Sequence, residues 1–394
     1  MATLQPFRGL RYDPAVVPLG QVIAPPYDVI GSAERLRLAS RHPANSVLVE
    51  LPEPDLHRGV DRYQRAATLL ASWMEHHVVV PDPAPSLYPY RMTTPDGRST
   101  TGVIGALGIG DDVLPHEETL PKPRSDRLDL LRATGANLSP IWGLSPAAGL
   151  TATFAPAGPP VVEAYDDAGV RHQLWVVDDP AAVAAVADAV ATAPVVVADG
   201  HHRYETARAY RREVRAANGD RPGDHDAVMA LVVELSEDQL TVGAIHRTLA
   251  NLPYGTDLVA VFGKWFDMVR AGPATDRVVA ALGESRSLAL VTPDGAWMLN
   301  PKPEAYQAAD SDLDSSVVAL ALARVPEQCS THQHTWQEAF DTVKAGAAQA
   351  AVLLRPVTVE QIAAWASARR RMPPKTTYFV PKPATGMVYR RLQS

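Results

Sequence analysis

Residues 195 to 207 read VVVADGHHRYETA. Three valines and an alanine, with Pro194 ahead of them, have the continuous apolar character of a strand covered on both faces. Tyr204, Ala207 and Tyr210 then recur at helical spacing. The junction at Asp199 and Gly200 therefore reads as a strand, a tight turn and the start of a helix. Glycine there lets the backbone approach a ligand closely, and the unpaired amides of a helix's first turn offer donors and a partial positive charge to an anion. His201, His202 and Arg203 add side-chain donors at the same place. Glu205 is a further catalytic candidate, and Thr206 a further contact for a bound cofactor. This is the chemistry of a phosphate cradle, with Asp199 placed to accept a hydroxyl proton or to hold a metal ion carried by the phosphates.

Two other readings of the same residues stay open. Asp199 can cap the helix while Arg203 pairs with Glu205 or another acid. Alternatively His201 and Glu205, four apart on one helical face, can share a divalent ion with a distant third ligand such as His116, His246, His332 or His334.

Working outward, 394 residues with 46% hydrophobic content are enough to bury a large core in two or three packed units. A net charge of −7 argues against a broad cationic surface for nucleic acid or anionic lipid. Cys329 is the single cysteine, which excludes an intrachain disulfide and a cysteine-rich zinc module. The N-terminus, MATLQPFRGLRYDP, has no apolar leader core, and no later run is long enough for a membrane span, so a soluble cytoplasmic protein is expected.

Three stretches, LYPYRMTTPDGRSTTGVIGALGI, VVEAYDDAGVRHQLWVVDD and SLALVTPDGAWMLNP, place an Asp and Gly turn between β-prone runs and predict three hairpins. Helical patterning covers residues 62–77, 180–192 and 358–372. The expected class is mixed α/β (α+β). The expected parts are residues 1–150 contributing to a pocket, 151–255 carrying the phosphate-binding junction, and 256–394 packed on the others.

Further blocks supply candidates. In APPYDVI, Tyr27 and Asp28 follow a rigid proline pair that presents them to a pocket or makes an ordinary turn. The loop LPHEETLPKPRSDRLDLL carries His116, Glu117, Glu118, Lys122 and Arg124, a mixture that suits a lid over a phosphorylated substrate, before Ser125 or Asp126 caps a helix. Asn137 and Ser139 contact a polar ligand or close a turn. His246 and Arg247 emerge at another strand end, where Arg247 forms a fork to phosphate, to a carboxylate or to a surface acid. Lys375, in MPPKTTYFVPK, lies on an extended wall or edge strand.

ADGHHRYETA resembles the Asp-Gly-His-His-Arg signature of the ParB and sulfiredoxin superfamily, in particular its free L-serine kinase branch. The chain as a whole resembles the family called domain of unknown function 1015 through IAPPYDVI (23–30), HEETLPKPRSDRLDLLRATGANLSPIWGL (116–144), ADGHHRYETA (198–207), IHRTL (245–249) and MPPKTTYFVPKPATGMV (372–388). The resemblance implies a ParB-like nucleotide-binding unit, with Gly200, His201, His202 and Arg203 on the phosphates and Asp199 near the transferred group. Where the serine kinases use an upstream glutamate as base, WVVDDP supplies Asp178 and Asp179 instead. No helix-turn-helix with basic charge follows, and no cysteine stands in the motif, so neither DNA partitioning nor sulfiredoxin activity is expected. The expected reaction is phosphoryl transfer between a nucleotide, ATP or ADP with Mg²⁺, and a small hydroxyl metabolite, with L-serine or phosphoserine first. Arg247 or Lys122 would hold the substrate carboxylate. A phosphoserine phosphatase-like hydrolase and a non-catalytic nucleotide-binding module are the alternatives. No haem, flavin or structural zinc is expected, and neither nucleic acid nor a membrane is an expected partner.

Overall fold

The valine run is a strand in the computed structural model, which describes residues 1–115, 121–155, 158–274, 276–284 and 287–392. Val195, Val196, Val197 and Ala198 are all buried, as a run without alternation requires when both faces of a sheet are covered. The chain divides into two units, one made of residues 1–241 with 381–394 and the other of residues 242–380.

In the larger unit the helices include α1 (Val47–Glu50), α2 (Pro121–Thr134), α3 (Pro180–Ala191) and α4 (His201–Asn218). The main sheet has, in chain order, β1 (Tyr88–Thr93), β2 (Ser99–Gly108), β3 (Val113–Pro115), β4 (Ile141–Ser145), β5 (Val162–Tyr165), β6 (Arg171–Leu174), β7 (Val195–Asp199) and β8 (Ala227–Glu234). They lie side by side as β3-β7-β4-β8-β2-β1-β6-β5, with Leu4–Gln5 also pairing on β2. Two of the expected hairpins are here. β1 and β2 turn at Gly97, and β5 and β6 at Gly169, both glycines having positive φ. Val195 and Val197 of β7, Val228 and Val232 of β8 and Tyr204 of α4 share one apolar cluster with Val103, Leu107 and Ile141.

The three-part division expected from the sequence differs from this arrangement for a topological reason. β7 pairs with β3 and β4, and β8 with β2 and β4, so residues after 150 complete a sheet begun before it. The end of the chain returns as well: Tyr389–Arg391 pairs with Gly9–Tyr12 and with Ala136–Asn137. α2 starts at Pro121, so Ser125 and Asp126 sit inside the helix instead of capping it, consistent with the tolerance of proline in a first turn.

The smaller unit holds an antiparallel sheet of β9 (His246–Leu249), β10 (Phe266–Gly272), β11 (Leu288–Thr292), β12 (Gly295–Pro301), β13 (Ser330–Gln333) and β14 (Ala350–Leu353), in the order β10-β12-β11-β14-β9-β13. The third expected hairpin is β11 with β12. Alternate residues of β11 enter different cores: Leu288 and Leu290 pack with α5 (Asp314–Ala321), Ala289 and Val291 with α6 (Trp336–Lys344). The sheet is thus covered on both faces. The mixed α/β class matches the expectation. Among the described residues no helix is long and apolar enough to cross a membrane.

Candidate active site at the end of the valine strand

β7 ends in a register shift against β4 between Val197 and Asp199, and α4 begins two residues later. The hinge is Gly200 at φ +84, a left-handed conformation that costs an L-residue about 1–2 kcal/mol. A Cβ at Gly200 would lie 3.0 Å from Nε of Arg203, because the arginine folds back over the turn. Gly200, which has no side chain to offer, occupies the N-cap position, and Asp199 precedes it. The Asp199 carboxylate faces two cations. Oδ2 accepts from Nη2 of Arg203 at 3.1 Å, and Oδ1 accepts from Nζ of Lys382 at 3.0 Å.

Lys382 also donates to Oδ2 of Asp28 at 2.6 Å, so one ammonium group bridges two carboxylates. It is 12% exposed. Burial works against its charge, but Asp199 and Asp28 outweigh burial and hold its pKa above the usual lysine value. Asp28 belongs to a single turn of 3-10 helix, Tyr27–Val29, entered from Pro26. That turn is tied to the Lys382 segment by a two-way backbone bridge between Ala24 and Thr385.

Arg203 is spent on the protein as well as facing the turn. Nη1 donates to Oγ of Ser139 at 3.0 Å and to the carbonyl of Pro140, and the side chain is 10% exposed. Its pKa lies above the usual arginine value because Asp199 and other negative partners outweigh the burial that opposes it. The Tyr27 ring packs beneath two guanidinium groups, 4.3 Å from Arg127 and 5.8 Å from Arg203, a cation–π arrangement. Burial raises the Tyr27 phenol pKa against the pull of both arginines.

Behind these groups lies Glu50, 2% exposed, at the end of α1. Its Oε1 accepts from Ser139 at 2.9 Å and its main-chain carbonyl from Arg127 at 2.7 Å, while Oε2 has no hydrogen-bond partner among the described residues. A cavity of about 50 Å³, lined by Glu50, Arg127, Asn137, Ser139, Arg203 and Thr206, gives room for water beside that oxygen.

The structure thus brings together Asp199, Gly200, Arg203, Tyr27, Asp28 and Ser139. His201 and His202 stand half-buried in the first turn of α4. Glu205 pairs with Arg208 at 2.9 Å, Thr206 is buried against the cavity, and Asn137 accepts from the amide of Met229 and from Arg390. His116 and Glu117 lie outside the described residues, as do the side chains of Lys122 and Arg124. Three groups escaped the sequence reading: Lys382, Glu50 and Arg127. The local signal for Lys382 is its place between Pro381 and Pro383.

His246, Arg247 and Lys375 belong to the smaller unit. Arg247 donates to the carbonyls of Ile245 and Lys375, and Nδ1 of His246 accepts from the amide of Leu354. Burial, then the charge of Arg247, pushes the His246 imidazole down to about 4. Lys375 is exposed, with φ +59, on the wall of a cleft of about 1020 Å³ that also holds the Arg355–Asp314 ion pair. Among the described residues no group of three or more His, Cys, Asp or Glu side chains is placed to hold a metal ion.

The model of the family described as "Protein of unknown function (DUF1015)" matches residues 4–320. The chain belongs to this family. No curated protein matches the sequence. Solved structures with a distant likeness to this DUF1015 protein include a free serine kinase in complex with AMP, at 12% identity and TM-score 0.38, covering 73% of this chain and 90% of that one. A second is a conserved hypothetical protein from Pyrococcus furiosus, at 12% identity and TM-score 0.36, covering 71% of this chain and 90% of that one. A third is C-terminally truncated SbnI from Staphylococcus aureus, at 13% identity and TM-score 0.39, covering 72% and 85%.

Proposed function

We propose that the protein transfers a phosphoryl group between a nucleotide and a small hydroxyl metabolite, with L-serine as the first candidate acceptor. The observation that carries this reading is the Lys382 ammonium held between Asp28 and Asp199 at the left-handed turn that opens α4. Phosphoryl transfer needs positioning and charge stabilisation more than covalent help, and this turn supplies helix amides, two histidines, an arginine and a lysine beside two carboxylates. The Asp-Gly-His-His-Arg resemblance supports the same assignment.

In this mechanism the acceptor oxygen attacks the terminal phosphorus, the bond to the bridging phosphate oxygen breaks, and the hydroxyl proton passes to the Asp199 carboxylate. Lys382 and Arg203 orient that carboxylate through direct hydrogen bonds, and His201 and His202 face the phosphoryl oxygens. Asp28 and Asp199 are already bridged by the Lys382 ammonium, so this pair does not fit a Mg²⁺ ion as well, and the positive charge beside the phosphates comes from Lys382, Arg203 and the helix amides.

The test is phosphorus NMR of the full chain with Mg²⁺, ATP or ADP, and a pool of hydroxyl metabolites including L-serine. A new phosphoester that Asp199→Asn abolishes supports transfer. Inorganic phosphate alone points to a hydrolase. Nucleotide binding without turnover points to a binding module, and either result would overturn the proposal.

A further inference from the structure

A buried polar chain runs through the larger unit and ends beside the segment that carries Lys382. Asp166 lies at the turn between β5 and β6, and its Oδ2 is 3.2 Å from Nε2 of His172. Nδ1 of His172 is 2.7 Å from the hydroxyl of Tyr90, and that hydroxyl accepts from the amide of Ala384 at 3.1 Å. Tyr90 and His172 are both at 0% exposure, on neighbouring strands, with rings nearly parallel.

The donors and acceptors allow one consistent order. The Asp166 carboxylate accepts from Nε2–H, Nδ1 is left bare and accepts from the Tyr90 O–H, and the tyrosine oxygen is left to receive the Ala384 N–H. Asp166 suits the first position: burial opposes its charge, but hydrogen bonds from His172 and from the amide of Val170 outweigh burial and hold its pKa low. A sheet needs none of this. Two buried apolar side chains would pack there at less cost, because a buried polar chain is stable only when every member is satisfied.

Ala384 follows Pro383, and Lys382 lies between two prolines, so its backbone has little freedom. The segment is anchored at Thr385 by the bridge to Ala24 and at Ala384 by Tyr90. We propose that Tyr90, oriented by His172 and Asp166, is a positioning residue that holds the 382–385 segment so that Lys382 reaches both Asp28 and Asp199. This rests on reading Lys382 as part of the site, but its test does not require any ligand.

The experiment is competitive labelling of the full chain with an amine-specific reagent, read by mass spectrometry as the rate at Lys382 relative to exposed Lys344. Tyr90→Phe keeps the ring and removes the acceptor for Ala384. It is expected to raise Lys382 labelling about fivefold, the size of one lost buried hydrogen bond, with Lys344 unchanged. Asp166→Asn, at a partly exposed position, is expected to raise it by less. Unchanged Lys382 labelling in both folded variants, or an equal rise at Lys344, overturns the proposal. A separate calorimetric titration with ADP addresses the phosphate reading. If Lys382→Gln leaves ADP affinity unchanged while Tyr90→Phe still exposes Lys382, the functional reading falls and the positioning role stands.

Discussion

Lys382→Met keeps the length of the side chain and deletes its charge, which makes it the most informative perturbation of this site. In the native protein Nζ lies 2.6 Å from Asp28 and 3.0 Å from Asp199. At an effective dielectric of about 20 the two contacts have gross Coulomb energies of roughly 6.4 and 5.5 kcal/mol, set against a desolvation cost of similar size for the buried ammonium. Removing one member of a fully buried pair typically costs about 3–5 kcal/mol because the other charge is stranded. Here the stranding is partial. Asp28 is 37% exposed and regains water, and Asp199 keeps Arg203 at 3.1 Å. The expected loss is therefore about 2–3 kcal/mol, measured by chemical denaturation of the full chain.

The same geometry sets the sign of two companion results. Asp28→Asn in the Lys382→Met background should restore part of the loss, since it removes a carboxylate that has lost its counter-ion. The folded lysine pKa is raised, so its stabilisation is complete below the unfolded value of about 10.4 and is lost as pH rises through the folded value. Wild type should accordingly weaken at strongly alkaline pH through a contribution that Lys382→Met lacks. A loss below about 0.5 kcal/mol, the size of an ordinary surface change, with strictly additive effects of Asp28→Asn, would refute the bridge.

Other substitutions test other contacts. Arg203→Ala strands Ser139, the Pro140 carbonyl and part of Asp199, and should cost about 2–4 kcal/mol in denaturant titrations; Arg203→Lys, lacking the planar fork, should recover less than half of it. Gly200→Ala combines a left-handed backbone with a Cβ 3.0 Å from Arg203 and should cost at least about 1–2 kcal/mol, with ADP affinity falling as the turn opens. His246 has a folded pKa of about 4, below the unfolded value of about 6.5, so the unfolded chain gains a proton first as pH falls. The smaller unit should lose stability, on the order of 3 kcal/mol, between about pH 6.5 and 4. A pH series of thermal melts on wild type and His246→Gln, in which that slope is equal in both, would count against it.

The parts of this site that were legible in the sequence are those made by neighbours in the chain. The valine run, Gly200 and the helical spacing of Tyr204 and Ala207 specify a strand, a turn and a helix through local sterics and periodicity, and the three Asp and Gly hairpins follow from the same rules. Residue type also marked Asp199 and Arg203 as site candidates, although the ion pair read for Arg203 was with Glu205 or another acid, where the structure gives it Asp199. What the local pattern could not contain is which partner each charge meets. Lys382 is 183 residues from Asp199 and 354 from Asp28 in sequence, and its position depends on a C-terminal strand inserted between Gly9–Tyr12 and Ala136–Asn137. Glu50 follows the apolar VLV of α1 and precedes LPEP, where an acid ordinarily faces solvent; its burial becomes intelligible once Arg127 and Ser139 arrive from α2 and the segment after it. The one local trace of the bridge was stiffness. A lysine fixed between two prolines has given up backbone freedom, and that restriction is useful only where the ammonium must be delivered to a particular place.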